Sequence, residues 1–109
     1  MAQGKDALEA AQKAVARLPN DAQAVNNLGR AFHDRRMHGE AITAYRYALR
    51  LQPSLLQAQL NLGAALRDTG DLAGAEAHYR AVLAVNPQQA LARNNLAWVL
   101  LEQGKPGAL

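Results

Sequence analysis

The side chains able to do chemistry in this 109-residue chain are few and poorly placed for catalysis. Cysteine is absent, which excludes thiolate nucleophiles, disulfide frameworks and cysteine-ligated metal centres. Ser54 is the sole serine, and no nucleophile motif sets a His or Asp beside it. Next to Pro53 it reads as a helix cap. His33 and His38 stand five residues apart across an expected helix end, without the i, i+4 spacing that puts two imidazoles on one helical face, and His78 falls in another helix. No metal centre, cofactor or enzymatic activity is therefore expected. Phosphate-cradling glycine motifs are also missing, since Gly70-Asp71-Leu72-Ala73-Gly74 follows a helical pattern and reads as a turn. What remains is a set of carboxamides, Asn27, Asn61 and Asn95, each offering both donors and acceptors.

Charge and hydropathy narrow the classes further. Twelve basic residues against nine acidic give a net charge of +3, too mild to demand a nucleic-acid partner. Arg35 and Arg36 are adjacent, but Arg46, Arg50 and Arg80 alternate with acids rather than forming a stripe. RNA binding is thus an alternative of low standing. The longest apolar run, Leu96 to Leu101, spans six residues, where a membrane span needs about 20. The first 18 residues mix Lys5, Lys13 and Arg17 with Asp6 and Glu9, unlike a signal or transit peptide. The cytoplasm is accordingly the default compartment, and no membrane partner is expected.

The elements that position the carboxamides come from a repeat. Pro19, Pro53 and Pro87 are spaced 34 apart, and the same period relates Asn27, Asn61 and Asn95; Leu28, Leu62 and Leu96; Gly29, Gly63 and Ala97; Phe32, Leu66 and Leu100; Ala41 and Ala75; and Tyr45 and Tyr79. Ala24, Leu28, Ala31 and Phe32 follow helical spacing, and their equivalents one and two periods later do the same. A second helical stripe runs through Ala41, Ile42, Tyr45, Ala48 and Leu49, again through Ala75, Tyr79, Val82 and Leu83, and one period earlier through Ala7, Leu8, Ala11, Ala14 and Val15. Each unit is a helix pair. Pro19-Asn20-Asp21 and Pro53-Ser54 end one helix and cap the next. Gly29 and Gly63 lie inside helices, where Gly costs about 1 kcal/mol relative to Ala. Close approach of a neighbouring helix is the expected reason, with Ala41 and Ala75 opposite.

A 34-residue unit reading Val25, Leu28, Gly29, Phe32, Ala41, Tyr45, Ala48, Pro53 resembles the tetratricopeptide repeat. Its departures are Val25 and, one period on, Gln59 where Trp is favoured, Arg36 where the turn uses Gly70 and Gly104, and His38 at a position usually apolar. The turn at Arg36 is expected to differ in backbone geometry. The reading is one all-α domain over 1–109: residues 5–18 as the second helix of a preceding repeat, 22–55 and 56–89 as repeats, and 90–103 as the first helix of a truncated one, with Gly104-Lys105-Pro106-Gly107 as its turn. The resemblance implies a right-handed α-solenoid of antiparallel helix pairs, with a concave groove lined by the first helices.

Groove residues on that reading are Asn27, Asn61 and Asn95 as a ladder holding peptide main chain, with Asn26, Arg30, His33, Leu60, Asn94 and Trp98 around it. The ladder is similar to the groove of repeat domains attached to O-linked N-acetylglucosamine transferases. The clamp that some family members use for chaperone C-terminal carboxylates is not expected, because Asn26 and Leu91 stand where it needs Lys and Asn95 where it needs Arg. The expected function is a protein-interaction scaffold binding protein or peptide, within a larger multi-repeat protein. The alternative is a substrate-presenting repeat domain of an enzyme such as a glycosyltransferase. Leu96, Val99 and Leu100 are expected to face a helix the sequence does not contain, giving a self-association end.

Overall fold

The computed structural model describes residues 2–104, with side chains from residue 7 onward. Six helices make up the described chain: α1 (Ala2–Arg17), α2 (Ala22–Asp34), α3 (His38–Leu51), α4 (Leu56–Asp68), α5 (Leu72–Val85) and α6 (Ala90–Glu102). Ala and Leu supply most of their apolar faces, as expected of straight-chain and small residues in closely packed helices. Successive helices pack on one another, giving an elongated body of 45 × 30 × 18 Å. Its radius of gyration, 14.4 Å, exceeds the roughly 13 Å of a compact domain of this size. This is an all-α helical-repeat solenoid in which units meet only their neighbours. No described helix is long and apolar enough to cross a membrane.

The curvature follows from unequal spacing in two rows. In the row α2, α4, α6, the backbones of adjacent helices come within 8 Å, whereas those of α1 and α3, and of α3 and α5, do not. A stack drawn together along one row and splayed along the other is concave toward the first. The splayed row leaves open clefts, one of about 680 Å³ lined by Val15, Leu28, Phe32 and Tyr47, and one of about 500 Å³ lined by Arg46, Leu49 and His78.

The core repeats every 34 residues: Ala41, Tyr45, Leu62, Ala65, Leu66, Ala75, Tyr79, Val82, Ala92 and Val99 form one buried cluster, and Val25, Ala44, Ala48 and Ala58 form a second. The helix glycines face tyrosines, not the alanines expected from the sequence. A Cβ on Gly29 would sit 2.6 Å from Tyr45 Cε1, and one on Gly63 would collide with the Tyr79 ring. Ala41 and Ala75 are fully buried, but the atoms nearest those glycines belong to the tyrosine rings. Tyr needs the room of a missing Cβ because its ring is the largest group filling the inside of each pair.

Two local expectations are corrected. Ser54 does not cap α4. That helix is capped at Leu55, without a side-chain bond, whereas the equivalent Asp21 accepts from Gln23 N and Ala24 N at 2.9 and 3.2 Å, and the equivalent Gln89 accepts from Leu91 N at 2.9 Å. Helix α4 starts one residue too late for Ser54 to reach its first amides. The turn at Arg36 also keeps the repeat's geometry: Arg36 has φ 60°, in the same left-handed region as Gly70 at 87° and Gly104 at 69°. The helix stop imposes this conformation whichever residue occupies it, and Arg pays a steric cost that Gly avoids. The turn expected over 104–107 lies mostly outside the described residues.

Candidate functional site

The concave side is built from the exposed stripe of each first helix. On α2 the stripe is Gln23, Asn27, Arg30 and Asp34, spaced i, i+4, i+7, i+11 opposite the buried residues Val25, Gly29 and Ala31. Shifting by 34 gives Gln57, Asn61, Ala64 and Asp68 on α4, then Leu91, Asn95, Trp98 and Glu102 on α6. The surface is therefore four transverse rows: amide and Leu, the Asn row, a mixed row ending in Trp98, and an acidic row. Asn27 is exposed, and Asn61 and Asn95 are half-buried. An open hollow of about 370 Å³ between α1 and α2 is lined by Ala11, Ala14, Asn27, Arg30 and Asp34.

Side-chain bridges at the repeat spacing join neighbouring first helices. Gln23 Nε2 donates to Gln57 Oε1 at 3.1 Å and Asn61 Nδ2 to Asn26 Oδ1 at 3.1 Å. His33 Nε2 meets Asp68 Oδ2 at 2.7 Å, and one unit further Arg67 Nε donates to Glu102 Oε1 at 2.8 Å. The last two are the same bridge in successive repeats. Each Asn of the ladder has an internal bond of its own: Asn27 Oδ1 accepts from Gln23 Nε2 at 3.1 Å, Asn61 donates to Asn26, and Asn95 bonds the Tyr79 hydroxyl. One bond uses a fraction of a carboxamide's capacity and fixes its orientation.

Asn26 is a correction. Its side chain is 0 % exposed, covered by α4, and so cannot line the groove. Its Oδ1 holds Asn61, while its Nδ2 has no hydrogen-bond partner. The repeat-equivalent Leu60 is half-buried against the core, and Asn94, also equivalent, is exposed on α6. Arg30 is exposed, His33 half-buried, and Trp98 57 % exposed.

The expected self-association end is also relocated. Val99 is 0 % exposed and Leu100 nearly buried, with Leu96 packed against the core. They continue the stripe that faces the preceding pair, so helical phase turns them inward. The apolar groups that α6 leaves in solvent are Leu91, Trp98 and Leu101.

The histidines are closer than their spacing suggests. Their five-residue separation holds only if α2 continues; instead the chain reverses through Arg36, and α3 starts at His38. The His33 and His38 rings lie 5.4 Å apart at 75°, and Asp68 completes a trio with one ligand atom each, all within 4.8 Å of one another. The signal available in the sequence was the polar residue at an apolar repeat position. His78 lies apart, its Nε2 donating to the Gln59 carbonyl. Burial, reinforced by nearby Arg46, holds its pKa below the usual histidine value despite that bond. Burial likewise raises the Tyr45 and Tyr79 phenols, which therefore stay neutral.

Comparison with known proteins fits this geometry. A sequence profile for the tetratricopeptide repeat matches residues 2–55 and 60–108, and the chain belongs to that family. A search of curated protein sequences found no significant relative. Among solved structures, the first such domain of Spaghetti (RPAP3), bound to the HSP90 peptide SRMEEVD, is similar with a TM-score of 0.85 at 21% identity, over 95% of this chain and 85% of that one. MamA gives 0.84 at 24% identity over 93% of this chain, which spans 55% of that protein. A mutant O-GlcNAc transferase from Thermobaculum terrenum gives 0.77 at 24% identity over 85% of this chain, but only 18% of the enzyme. At these identities the likeness is one of fold.

Proposed function

We propose that the chain is a peptide-binding interaction module that seats an extended segment across α2, α4 and α6 and has no catalysis of its own. The observation that supports it is the concave face itself, with Asn27, exposed, and Asn61 and Asn95, half-buried, aligned in one row at the repeat spacing. On this reading the three carboxamides, already oriented by internal bonds, hold the ligand's main chain. Arg30, His33, Leu60 and Asn94 read its side chains, and Trp98 takes an apolar one at the α6 end. The units doing this are repeats 22–55 and 56–89, flanked by the single helices within 5–18 and 90–103.

Two relatives were solved with chaperone peptides ending in EEVD. This chain has Asn26 and Leu91 where that recognition needs Lys and Asn95 where it needs Arg, and Asn26 is buried besides. We infer that it does not take such tails. The test is titration of peptides selected from a random display library, followed by the fluorescence of Trp98, the only Trp. Selected peptides should lose at least about tenfold in affinity in the Asn27→Ala, Asn61→Ala, Asn95→Ala variant, each backbone bond contributing about 1 kcal/mol. A peptide ending in EEVD should not bind. Equal affinity in wild type and variant, with unchanged helicity, would remove the ladder from the mechanism.

The likeness to the transferase supports a second reading, in which the same face presents substrates to a catalytic domain elsewhere in a longer chain. Fusing the module to such a domain and measuring glycosylation of the selected peptides separates the two. The exposed Trp98 and Leu101 support association with another copy through the α6 edge; a strict monomer by light scattering at high concentration overturns it.

A further inference from the structure

The His33, His38 and Asp68 cluster departs from the repeat in a way that the bridge between helices does not explain. At the next unit the equivalent positions hold Arg67, Leu72 and Glu102. There Arg67 and Glu102 form the inter-helix ion pair and Leu72 packs against the core. In the first unit the cation and the apolar residue are both replaced by histidine while the carboxylate is kept. A bridge needs only one of these changes, since His33 alone reaches Asp68 at 2.7 Å. His38 adds nothing to the bridge and forfeits the apolar packing that Leu72 provides. Its Nδ1 is buried with no hydrogen-bond partner, a state that a folded chain rarely leaves uncompensated.

We propose that His33, His38 and Asp68 bind a divalent transition-metal ion, zinc first among them. Two imidazoles and a carboxylate are a donor set suited to zinc, and three protein ligands leave a position for water or a partner's side chain. One ligand atom from each residue already lies within 4.8 Å of the others. The ion takes the place of the proton that His33 Nε2 shares with Asp68. Tyr45, with its hydroxyl 3.5 Å from His33 Nδ1, stands where an outer hydrogen bond orients a metal-bound imidazole. The trio opens on a cavity of about 470 Å³, also lined by Asp34 and Arg36. With neutral imidazoles, two carboxylates against one guanidinium leave the cavity at a net charge of −1, favourable for a cation. Because His33 and His38 flank the turn after α2 while Asp68 ends α4, the ion joins one helix pair to the next at the acidic edge of the groove.

The test uses untagged protein with Zn²⁺ in calorimetry and Co²⁺ in absorption spectroscopy. Two variants borrow the neighbouring repeat's own solution: His33→Arg recreates the Arg67 to Glu102 bridge, and His38→Leu recreates the packing of Leu72. Both should fold as well as the parent. Wild type should bind one equivalent of Zn²⁺, show a visible d–d band with Co²⁺, and gain thermal stability when Zn²⁺ is added. Each variant should lose at least about tenfold in affinity, together with the Co²⁺ band. No saturable binding by wild type, or equal binding by the equally helical His33→Arg and His38→Leu proteins, overturns the assignment.

Discussion

Replacing Gly29 with Ala sets two effects of opposite sign against each other. Helix propensity alone favours Ala in the middle of α2 by about 1 kcal/mol. The structure opposes it: the new methyl would stand 2.6 Å from Tyr45 Cε1 and 2.7 Å from Cδ1, where ordinary contact begins at 3.4 Å. The ring must retreat by about 0.8 Å, yet Tyr45 is 0 % exposed and held among Ala41, Leu62 and Ala65. Overpacking of this kind costs about 1–3 kcal/mol, so after the propensity gain the net loss should be up to about 2 kcal/mol. Followed by far-UV circular dichroism in urea, with a slope near the middle of the usual 1–3 kcal/mol/M, the midpoint should fall by up to roughly 1 M. Repeating the substitution with Tyr45→Leu, which removes the obstructing ring edge, should abolish the loss or turn it into a gain. A Gly29→Ala protein more stable than the parent by the full propensity gain, or an equal change in both backgrounds, would refute the ring-contact explanation for the recurring glycine.

Two further outcomes follow from local geometry. Arg36→Gly should raise stability by about 1 kcal/mol, because a left-handed backbone costs a non-glycine residue about that much or more, readable as an increase in melting temperature. For His78, the folded pKa lies below the unfolded value of about 6.5. Its contribution is therefore complete above that value and is lost as pH falls through the folded pKa, since the unfolded chain then binds more protons. Urea midpoints should decline more steeply below about pH 6.5 in the parent than in His78→Gln, which keeps a donor for the Gln59 carbonyl; parallel curves would count against it.

The parts of the fold read directly from the residues are those governed by period. Pro19, Pro53 and Pro87, with the helical stripes between them, bring six helices into view because a 34-residue spacing and a 3.6-residue spacing are both one-dimensional signals. Assignments that depended on helical phase were less secure. Asn26 and Asn27 differ by one step of about 100°, which separates a fully buried side chain from an exposed one; Val99 and Leu100 turned inward for the same reason. The partner of Gly29 is set by side-chain reach across two helices, which favoured the long Tyr45 over the equally periodic Ala41. The proximity of His33 and His38 depends on a single left-handed residue, Arg36, which the repeat spacing sets at the turn but whose side chain gives no sign of the conformation it shares with Gly70 and Gly104. For the groove, the Asn row was legible as a sequence period, whereas the internal bonds that orient it required coordinates.

The two rows of helices also give the molecule a bending stiffness that differs with direction. Along the inner row, neighbouring helices are tied chiefly by the side-chain bridges Gln23 to Gln57, Asn26 to Asn61, His33 to Asp68 and Arg67 to Glu102. Most of these can exchange with water at small net cost, whereas the buried tyrosines lock each helix to its pair. The apolar cluster holding those tyrosines also runs from α3 through α4 and α5 to α6, so flexure between units strains the interior as well as the exposed bridges. The bridges thus form an exchangeable polar edge on a continuous apolar body, and bending that parts the inner row is resisted less than bending that parts the core.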